Sequence, residues 1–192
     1  MKKLWLWGAL AALALFLFSG INTIPRKDEA VKASWSQVEN QYQRRMDLIP
    51  SIVSTVKGYA THERETLTKV IEARAQATKV TLTADSINDP ETFKKFEAAQ
   101  GQLSSALSRL MAVSENYPNL KADQNFLALQ SQLEGTENRI SVARRDYIAV
   151  VQDYNTTVRT FPGMIWAAIY GAQVKPTFTA ETGAEKAPKV EF

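Results

Sequence analysis

A long stripe of apolar and small side chains between residues 126 and 161 constrains the fold more than any other feature of the sequence. Its members recur at alternating steps of three and four residues: Phe126, Leu129, Leu133, Thr136, Ile140, Ala143, Tyr147, Val150, Tyr154, Thr157 and Phe161. This spacing places them on one face of a single α-helix, and Gly135 is the only glycine or proline in the run. Such a helix is roughly 50 Å long, so its apolar face requires an equally long partner.

A second stripe, earlier in the chain, is the candidate partner. It consists of Val31, Trp35, Val38, Tyr42, Met46, Ile49, Ile52, Val56 and Tyr59. Pro50 lies inside this pattern and removes one helical hydrogen bond. Because the stripe keeps its phase across Pro50, we expect a bend in the helix and not a break. The pattern resumes after Gly58, so we expect this helix to continue to about Thr81.

The remaining segments are shorter and also helical. Asp89 and Pro90 are a typical helix start, and an apolar stripe follows them up to Val113. Residues 164–172 form a short apolar segment, and no part of the sequence has the alternation typical of a strand. Because short connections make consecutive helices antiparallel, the sequence predicts an all-α protein. We expect an N-terminal transmembrane helix (residues 1–24), an elongated antiparallel bundle with long coiled-coil-like helices (25–174) and a disordered polar tail (175–192).

The first 24 residues have the composition of a membrane anchor. Two lysines precede an uncharged run that continues to residue 25. Its continuous apolar part, residues 4–18, is shorter than the roughly 20 residues that span a bilayer, and a span becomes possible when residues 20–24 are included. The bulky Phe18 or Leu17 would occupy a position where signal cleavage requires a small residue, so we favour a retained anchor over a cleaved signal peptide. The side chains that we assign to the anchor are Leu4, Trp5, Trp7, Phe16 and Phe18.

Several segments, in consistent order, resemble the LemA family of bacterial membrane proteins. They include NQYQRR (40–45), DLIP (47–50), TVKGYA (55–60), YP (117–118), LKA (120–122) and QLEGTENRI (132–140). The resemblance covers residues 28–161. It implies a membrane segment followed by a helical, coiled-coil-like domain in the bacterial cytoplasmic membrane, and it implies no particular reaction. Some relatives carry a lipoprotein-type cysteine after the apolar run; Ile21 stands there in this chain, so the apolar run itself must be the anchor.

The orientation across the membrane follows from the charges beside the anchor. Lys2 and Lys3 precede it, while Arg26, Lys27 and Lys32 follow it, so the positive charges are nearly balanced. A lysine pair before an apolar run is typical of export signals, and the family has exported lipidated members. We therefore expect the bulk of the chain on the extracytoplasmic (periplasmic) side, with the cytoplasmic side as the alternative.

Composition and charge narrow the class of function. The chain has 23 basic and 20 acidic residues and a net charge of +3 without a clustered basic face, which argues against nucleic-acid binding. Cysteine is absent and His62 is the single histidine, so thiol chemistry is excluded and most histidine-based metal or triad chemistry is removed. We expect no catalytic residues, no cofactor and no bound metal.

Two groups of residues are candidate interaction sites. The charged residues Arg45, Glu134, Glu137 and Arg144 lie on or beside the two long stripes. They either bind a ligand or a partner's carboxylate, or form helix-rim ion pairs that fix the register, which we favour. The second group, near the C-terminus, is Ile165, Trp166, Ile169 and Tyr170. Its apolar face packs on the bundle or a neighbouring subunit, which we favour because the segment lacks basic residues, or enters lipid.

These observations predict a membrane protein whose role is structural. The first hypothesis is a non-catalytic, single-pass scaffold or partner-binding protein that self-assembles as a homo-oligomer through its helical domain. Its partners are then membrane lipid around the anchor, further copies of the chain, and other membrane or envelope proteins. The alternative is a lipid-binding, membrane-remodelling or sensing element that uses the apolar segment near the C-terminus.

Overall fold

The computed structural model of the protein describes residues 7–8, 20–60, 62–84 and 86–179. This part of the chain is helical and contains no strand, which confirms the all-α prediction. From residue 20 onward its elements are α1 (Thr23–Tyr59), α2 (Arg64–Lys79), a 3-10 turn (Ser86–Asn88), α3 (Pro90–Ser114), α4 (Pro118–Lys121), α5 (Gln124–Arg159) and α6 (Gly163–Tyr170). None of the described helices is both long and apolar enough to cross a membrane. Most of the predicted anchor, residues 1–6 and 9–19, lies outside the described residues.

Helices α1 and α5 form the long antiparallel pair that the two stripes predict. The contacts show the antiparallel direction, because positions later in α1 meet positions earlier in α5. The rings of Trp35 and Tyr147 are 5.3 Å apart, and the Tyr59 hydroxyl donates to Asp123 Oδ2 at 2.8 Å near the far end. Three predicted stripe positions differ in the structure. Val151 is buried in place of Val150, Tyr59 is exposed at the end of α1, and Phe161 lies beyond α5 with an exposed side chain.

The prediction that the first helix continues to about Thr81 is wrong. Helix α1 passes through Pro50 but ends at Tyr59, and α2 runs back along it, so that Arg74 Nε donates to the Met46 carbonyl at 3.2 Å. Residues 61–66 contain no large apolar side chain, so a continued helix would gain no burial there. Folding back instead buries Leu67 and the rest of the α2 stripe against α3.

Local capping fixes where α3 and α5 begin. The Asp89 side chain accepts hydrogen bonds from the backbone N–H groups of Glu91 and Thr92, with Pro90 in the first turn, as predicted. Asp123 Oδ1 accepts from the Phe126 backbone N–H at 2.8 Å and caps α5. This backbone hydrogen bond is the largest of the contacts that hold the pKa of Asp123 below its ordinary value. Both carboxylates satisfy N–H groups that a helix start leaves without intrahelical partners.

The buried apolar side chains form two clusters along the length of the bundle. An aromatic cluster lies at the end of the bundle where α1 begins, and it is built from Trp35, Tyr42, Phe93, Phe96, Tyr147 and Phe178 with aliphatic neighbours. An aliphatic cluster fills the opposite end, where α1 turns into α2, and it includes Ile49, Ile52, Val56, Leu103, Leu107, Leu110 and Leu133. Apolar burial on this scale is the main favourable contribution to folding.

The segment after α6 belongs to the bundle, contrary to our assignment of residues from 175 onward to a disordered tail. Residues 172–179, which we call the C-terminal strap, lie along α5. Asn155 holds the strap through both backbone groups of Lys175, at 2.8 and 2.9 Å. Lys175 and Phe178 are buried, and Phe178 packs into the aromatic cluster. Residues 180–192 lie outside the described residues.

Candidate functional site

Arg45 is the most deeply buried charged residue of the described chain, with a relative exposure of 1%. Helix α1 directs it toward both α3 and α5. Its Nη1 donates to Ser104 Oγ at 2.7 Å and to Glu137 Oε1 at 2.9 Å. Its Nη2 donates to the side chain and to the backbone carbonyl of Gln100. Its guanidinium carbon also lies 5.0 Å from the Tyr42 ring centroid.

These contacts form a polar layer across three helices, which we define as Arg45, Gln100, Ser104 and Glu137. The layer lies at the boundary of the two hydrophobic clusters, because Tyr42 belongs to the aromatic cluster and Met46 to the aliphatic one. A buried hydrogen-bonded layer of this kind favours one helix register, since a shifted register would leave the guanidinium unpaired.

The structure separates the four charged residues that the sequence placed together. Arg45 and Glu137 pair, but Glu134 points to the exposed side and accepts from Gln130 Nε2 at 2.9 Å. Arg144 lies further along α5. Its Nη2 is 3.9 Å from Glu97 Oε1, and its guanidinium carbon is 4.4 Å from the Phe178 ring centroid. The grouping of Glu134 with Arg45 was therefore wrong, and the sequence analysis missed Gln100, Ser104 and Glu97.

A signal for one of the missed residues is present in the sequence. Gln100 falls between Phe96 and Leu103 at spacings of four and three, which is an apolar stripe position in α3. A polar residue at such a position is buried and therefore needs a partner. Ser104 and Glu97 lie one helical turn to either side, but nothing in the sequence pairs them with α1 or α5.

A cleft of about 330 Å³ opens beside the polar layer. Its charged lining consists of Arg45, Arg144, Lys94, Glu97 and Glu137, and the two carboxylates contact the two arginines. Burial raises the pKa of the Tyr42 hydroxyl, which also lines the cleft, so it stays protonated at neutral pH. Both terminal nitrogens of Arg45 are engaged with protein groups, and its Nε is buried without a hydrogen-bond partner among the described residues. The engaged terminal nitrogens favour the register role over ligand binding.

We expect replacement of the buried arginine to loosen the register more than it changes stability. In Arg45→Met, an apolar side chain replaces a buried ion, a change that often leaves the free energy of unfolding the same or raises it. The loss of the hydrogen bond to Gln100 opposes this effect and lowers the free energy of unfolding by about 1 to 3 kcal/mol. The chain lacks cysteine, so spin labels at Glu39→Cys in α1 and Arg145→Cys in α5 report the helix offset. Wild type should give one narrow distance, and Arg45→Met a second population shifted by about one helical turn of 5.4 Å. A narrow unchanged distance with raised thermal stability would remove the register role.

The second candidate group lies in α6, and the structure divides it between two faces. Trp166 is buried against the bundle together with Ala167. Ile165, Ile169 and Tyr170 are exposed, and the Tyr170 hydroxyl donates to the Ile21 carbonyl at 2.9 Å. Packing on the bundle is therefore correct for one face of this helix, and the opposite face remains uncovered within this chain.

A polar network ties the strap to the start of α1. The Lys175 ammonium, buried within the bundle, donates to Asn88 Oδ1 at 2.6 Å, lies 2.7 Å from Asp28 Oδ1 and sits 5.0 Å from the Tyr154 ring centroid. Burial of Asp28 opposes its ionisation, but its contacts with Lys175 and Lys32 outweigh this effect, so the pKa of Asp28 is lowered. The network joins α1, the 3-10 turn and the strap at one end of the bundle.

Other expectations about sites can be located only in part. Of the anchor side chains, Trp7 is described and exposed, whereas Leu4, Trp5, Phe16 and Phe18 lie outside the described residues. His62 is exposed at the turn between α1 and α2. Across the described ranges, no three histidine or acidic side chains come together in a way that would hold a metal ion.

Comparison with known proteins adds a family and several named relatives. A family model described as the LemA family matches residues 34–192. The chain is 27% identical over 179 residues to the magnetosome proteins MamQ 1 and MamQ 2 of Paramagnetospirillum magneticum, an alignment that covers 85% of this chain and 66% of each relative. It is 22% identical over 140 residues to the protein LemA of Metamycoplasma hominis, covering 73% of this chain and 60% of that protein. The chain thus spans just under two thirds of the curated relatives it matches.

Proposed function

The chain belongs to the LemA family, and from this membership and the geometry above we propose that it is a non-catalytic, membrane-anchored scaffold that self-assembles through its helical bundle. The proposal has three parts: the anchor, the absence of catalysis and the surface that binds a second copy. In this proposal residues 1–24 form the single membrane-spanning anchor in the bacterial cytoplasmic membrane, and the bundle stands on its extracytoplasmic face. Other envelope proteins are further partners of the assembled form.

The charged residues of the bundle support a structural role over a catalytic one. Arg45, the buried cation, donates to Glu137 and to two groups of α3. Lys175, the second buried cation, is paired with Asp28 and Asn88. Acid–base catalysis needs a group poised to exchange a proton with a substrate, whereas these groups hold helices and strap together.

The single observation that carries self-assembly is a groove of about 380 Å³ between α1 and α5, which we call the uncovered groove. Its lining is mostly uncharged: Ser34, Gln37, Gln41, Asn138, Val142 and Ala143, with Arg139 and Asp146 also contributing. Gln41 Oε1 is buried and has no hydrogen-bond partner among the described residues. Val142 is nevertheless 47% exposed.

A second copy of the chain is the occupant that these features favour. An unpaired buried amide oxygen is unfavourable by about 1 to 3 kcal/mol. A rotation of the Gln41 side chain, which lines the groove, would bring this oxygen to a donor from an opposing subunit. A two-fold pairing of this surface would bring each copy's Gln41 and Val142 to the same interface, as closed homo-oligomers require. Six of the eight lining residues are uncharged, and depletion of charge is typical of the buried centre of such an interface.

We expect a charge in the uncovered groove to break the assembly. Val142→Arg places a bulky cation at the interface, which should weaken self-association by about 2 to 4 kcal/mol, or roughly 30- to 1000-fold in dissociation constant. The matched control is Ile71→Arg, which places the same charge at an exposed isoleucine of α2 outside the groove. Mass photometry and crosslinking of the intact chain in detergent measure the oligomer. A monomeric wild type without a crosslinked partner would contradict the proposed function, and equal effects of the two variants would contradict the groove.

A further inference from the structure

The structure leaves one apolar surface that neither the bundle nor the uncovered groove explains. Large apolar side chains are exposed at short intervals between residues 161 and 174. We call this surface the outer face of α6. Its members are Met164, Ile165 and Ile169 in the helix, Phe161 before it and Val174 in the strap after it. Ile165 and Ile169, four residues apart, lie along one side of the helix, opposite the buried Trp166 and Ala167. A contiguous apolar patch of this kind marks an interaction site.

The position of α6 indicates what covers this face. The backbone at Gly20 lies directly against the Trp166 indole, because a Cβ there would come within 2.0 Å of Trp166 Nε1. The Tyr170 hydroxyl holds the next residue, donating to the Ile21 carbonyl. Residues 20 and 21, at the end of the proposed anchor, therefore lie beside α6. Ile21 is itself exposed and adds to the apolar surface.

The charges around α6 fit a bilayer surface. No charged residue occurs from 160 to 174, so the outer face can enter an apolar environment without burying a charge. Exposed Arg159 directly precedes this stretch at the end of α5, and exposed Arg26 lies near Ile21 at the start of α1. Cations at the edge of an apolar face complement anionic lipid headgroups.

We propose that the outer face of α6 lies in the interfacial layer of the bilayer next to the anchor, and so clamps the bundle onto the membrane. The inference rests on the anchoring proposed above. An anchored chain keeps α6 at a high effective concentration near lipid, so a single short helix suffices for stable contact. The chain then has two membrane contacts, and the second one fixes the tilt and rotation of the bundle relative to the membrane plane.

Site-specific labelling of the intact, cysteine-free chain tests the proposal. An environment-sensitive fluorophore is attached at Ile169→Cys and, in a second chain, at Leu127→Cys. Leu127 is an equally apolar, exposed helix residue at the opposite end of the bundle, 47% exposed. Both chains are reconstituted into vesicles of phosphatidylethanolamine and phosphatidylglycerol, with or without lipids that carry a quencher near the headgroup. We expect a blue shift and severalfold quenching at position 169 and neither at position 127.

Each other outcome overturns the proposal in a distinguishable way. Vesicle flotation of the same samples reports the anchor separately. A chain that floats with the vesicles but is not quenched at position 169 overturns the α6 contact and leaves the anchor intact. A blue shift that lipid quenchers do not affect, and that is lost when each vesicle holds one chain, assigns the face to a second copy instead. A chain that does not float overturns both the anchor and the α6 contact.

Discussion

Replacing Trp35 by alanine is expected to lower the free energy of unfolding by about 3 to 5 kcal/mol. Trp35 is fully buried at the centre of the aromatic cluster, and four rings surround it at centroid distances of 5.3 to 6.1 Å. Its indole Nε1 also donates to the Leu82 carbonyl at 2.8 Å. Alanine would remove the ring contacts, leave a cavity between α1, α3 and α5, and leave that carbonyl without its donor.

Urea unfolding of the intact chain in detergent, followed by circular dichroism, measures this loss. Trp35→Phe separates the two contributions, because it keeps a ring but removes the donor, and we expect about 1 to 2 kcal/mol for it. Leu127→Ala, at an exposed position in α5, should change stability by no more than about 0.5 kcal/mol. Equal values for Trp35→Ala and Leu127→Ala would show that the aromatic cluster is not the core of this end of the bundle.

Replacing Phe178 by alanine should cost about 3 kcal/mol, although the sequence places Phe178 in a polar tail. Its ring lies 5.0 Å from Phe93 and 5.7 Å from Tyr147 by centroid distance, and the Arg144 guanidinium covers it at 4.4 Å. Loss of the ring would also release the strap, so protease sensitivity around Lys175 should increase. The same urea titration and a limited digest with proteinase K measure the two effects, because trypsin does not cleave the bond between Lys175 and Pro176.

The matched control for Phe178 is Val174→Ala, four residues earlier in the same strap. Val174 is 52% exposed, so its truncation should leave the free energy of unfolding within about 0.5 kcal/mol of wild type. A disordered tail would give the same negligible effect at both positions, whereas a docked strap predicts a large difference between them.

Features that depend on local chemistry could be predicted from the sequence. The start of α3 follows from a side-chain oxygen at Asp89 and the fixed φ of Pro90, and both act within one turn. The pairing of α1 with α5 follows from two stripes of matching length, since neither has another partner long enough to cover it. The existence of the helices thus came from periodicity and capping, and the antiparallel arrangement came from the short connections.

The turn after Tyr59 could not be predicted in this way. An apolar stripe has the same spacing whether a helix continues or folds back on itself, so periodicity alone cannot distinguish a long helix from a hairpin. The deciding contact is tertiary, between Leu67 and its neighbours in α2 and the apolar face of α3. The turn is then held by distant groups, such as the Tyr117 hydroxyl that donates to Glu63 Oε1 at 3.0 Å.

The composition of the polar layer depends on the same tertiary information. Glu134 and Glu137 are both near the edge of the α5 stripe, and a difference in helical rotation of about 60° decides which one reaches Arg45. Gln100 and Ser104 become partners of Arg45 only because α3 packs beside α1 at the polar layer. Likewise, Phe178 is one aromatic residue in a segment of polar composition, and its burial depends on tertiary packing against Trp35.

The uninterrupted length of α1 has a mechanical consequence. A single helix of 37 residues runs from the proposed membrane anchor to the far end of the bundle, a distance of about 55 Å. Because α5 packs along the length of α1, the domain would turn as a rigid body about its membrane-proximal end. A change of 10° in the tilt of the local membrane plane would move the far end sideways by about 10 Å, so bilayer curvature at the membrane-proximal end would be converted into displacement where the hairpin turn meets its surroundings.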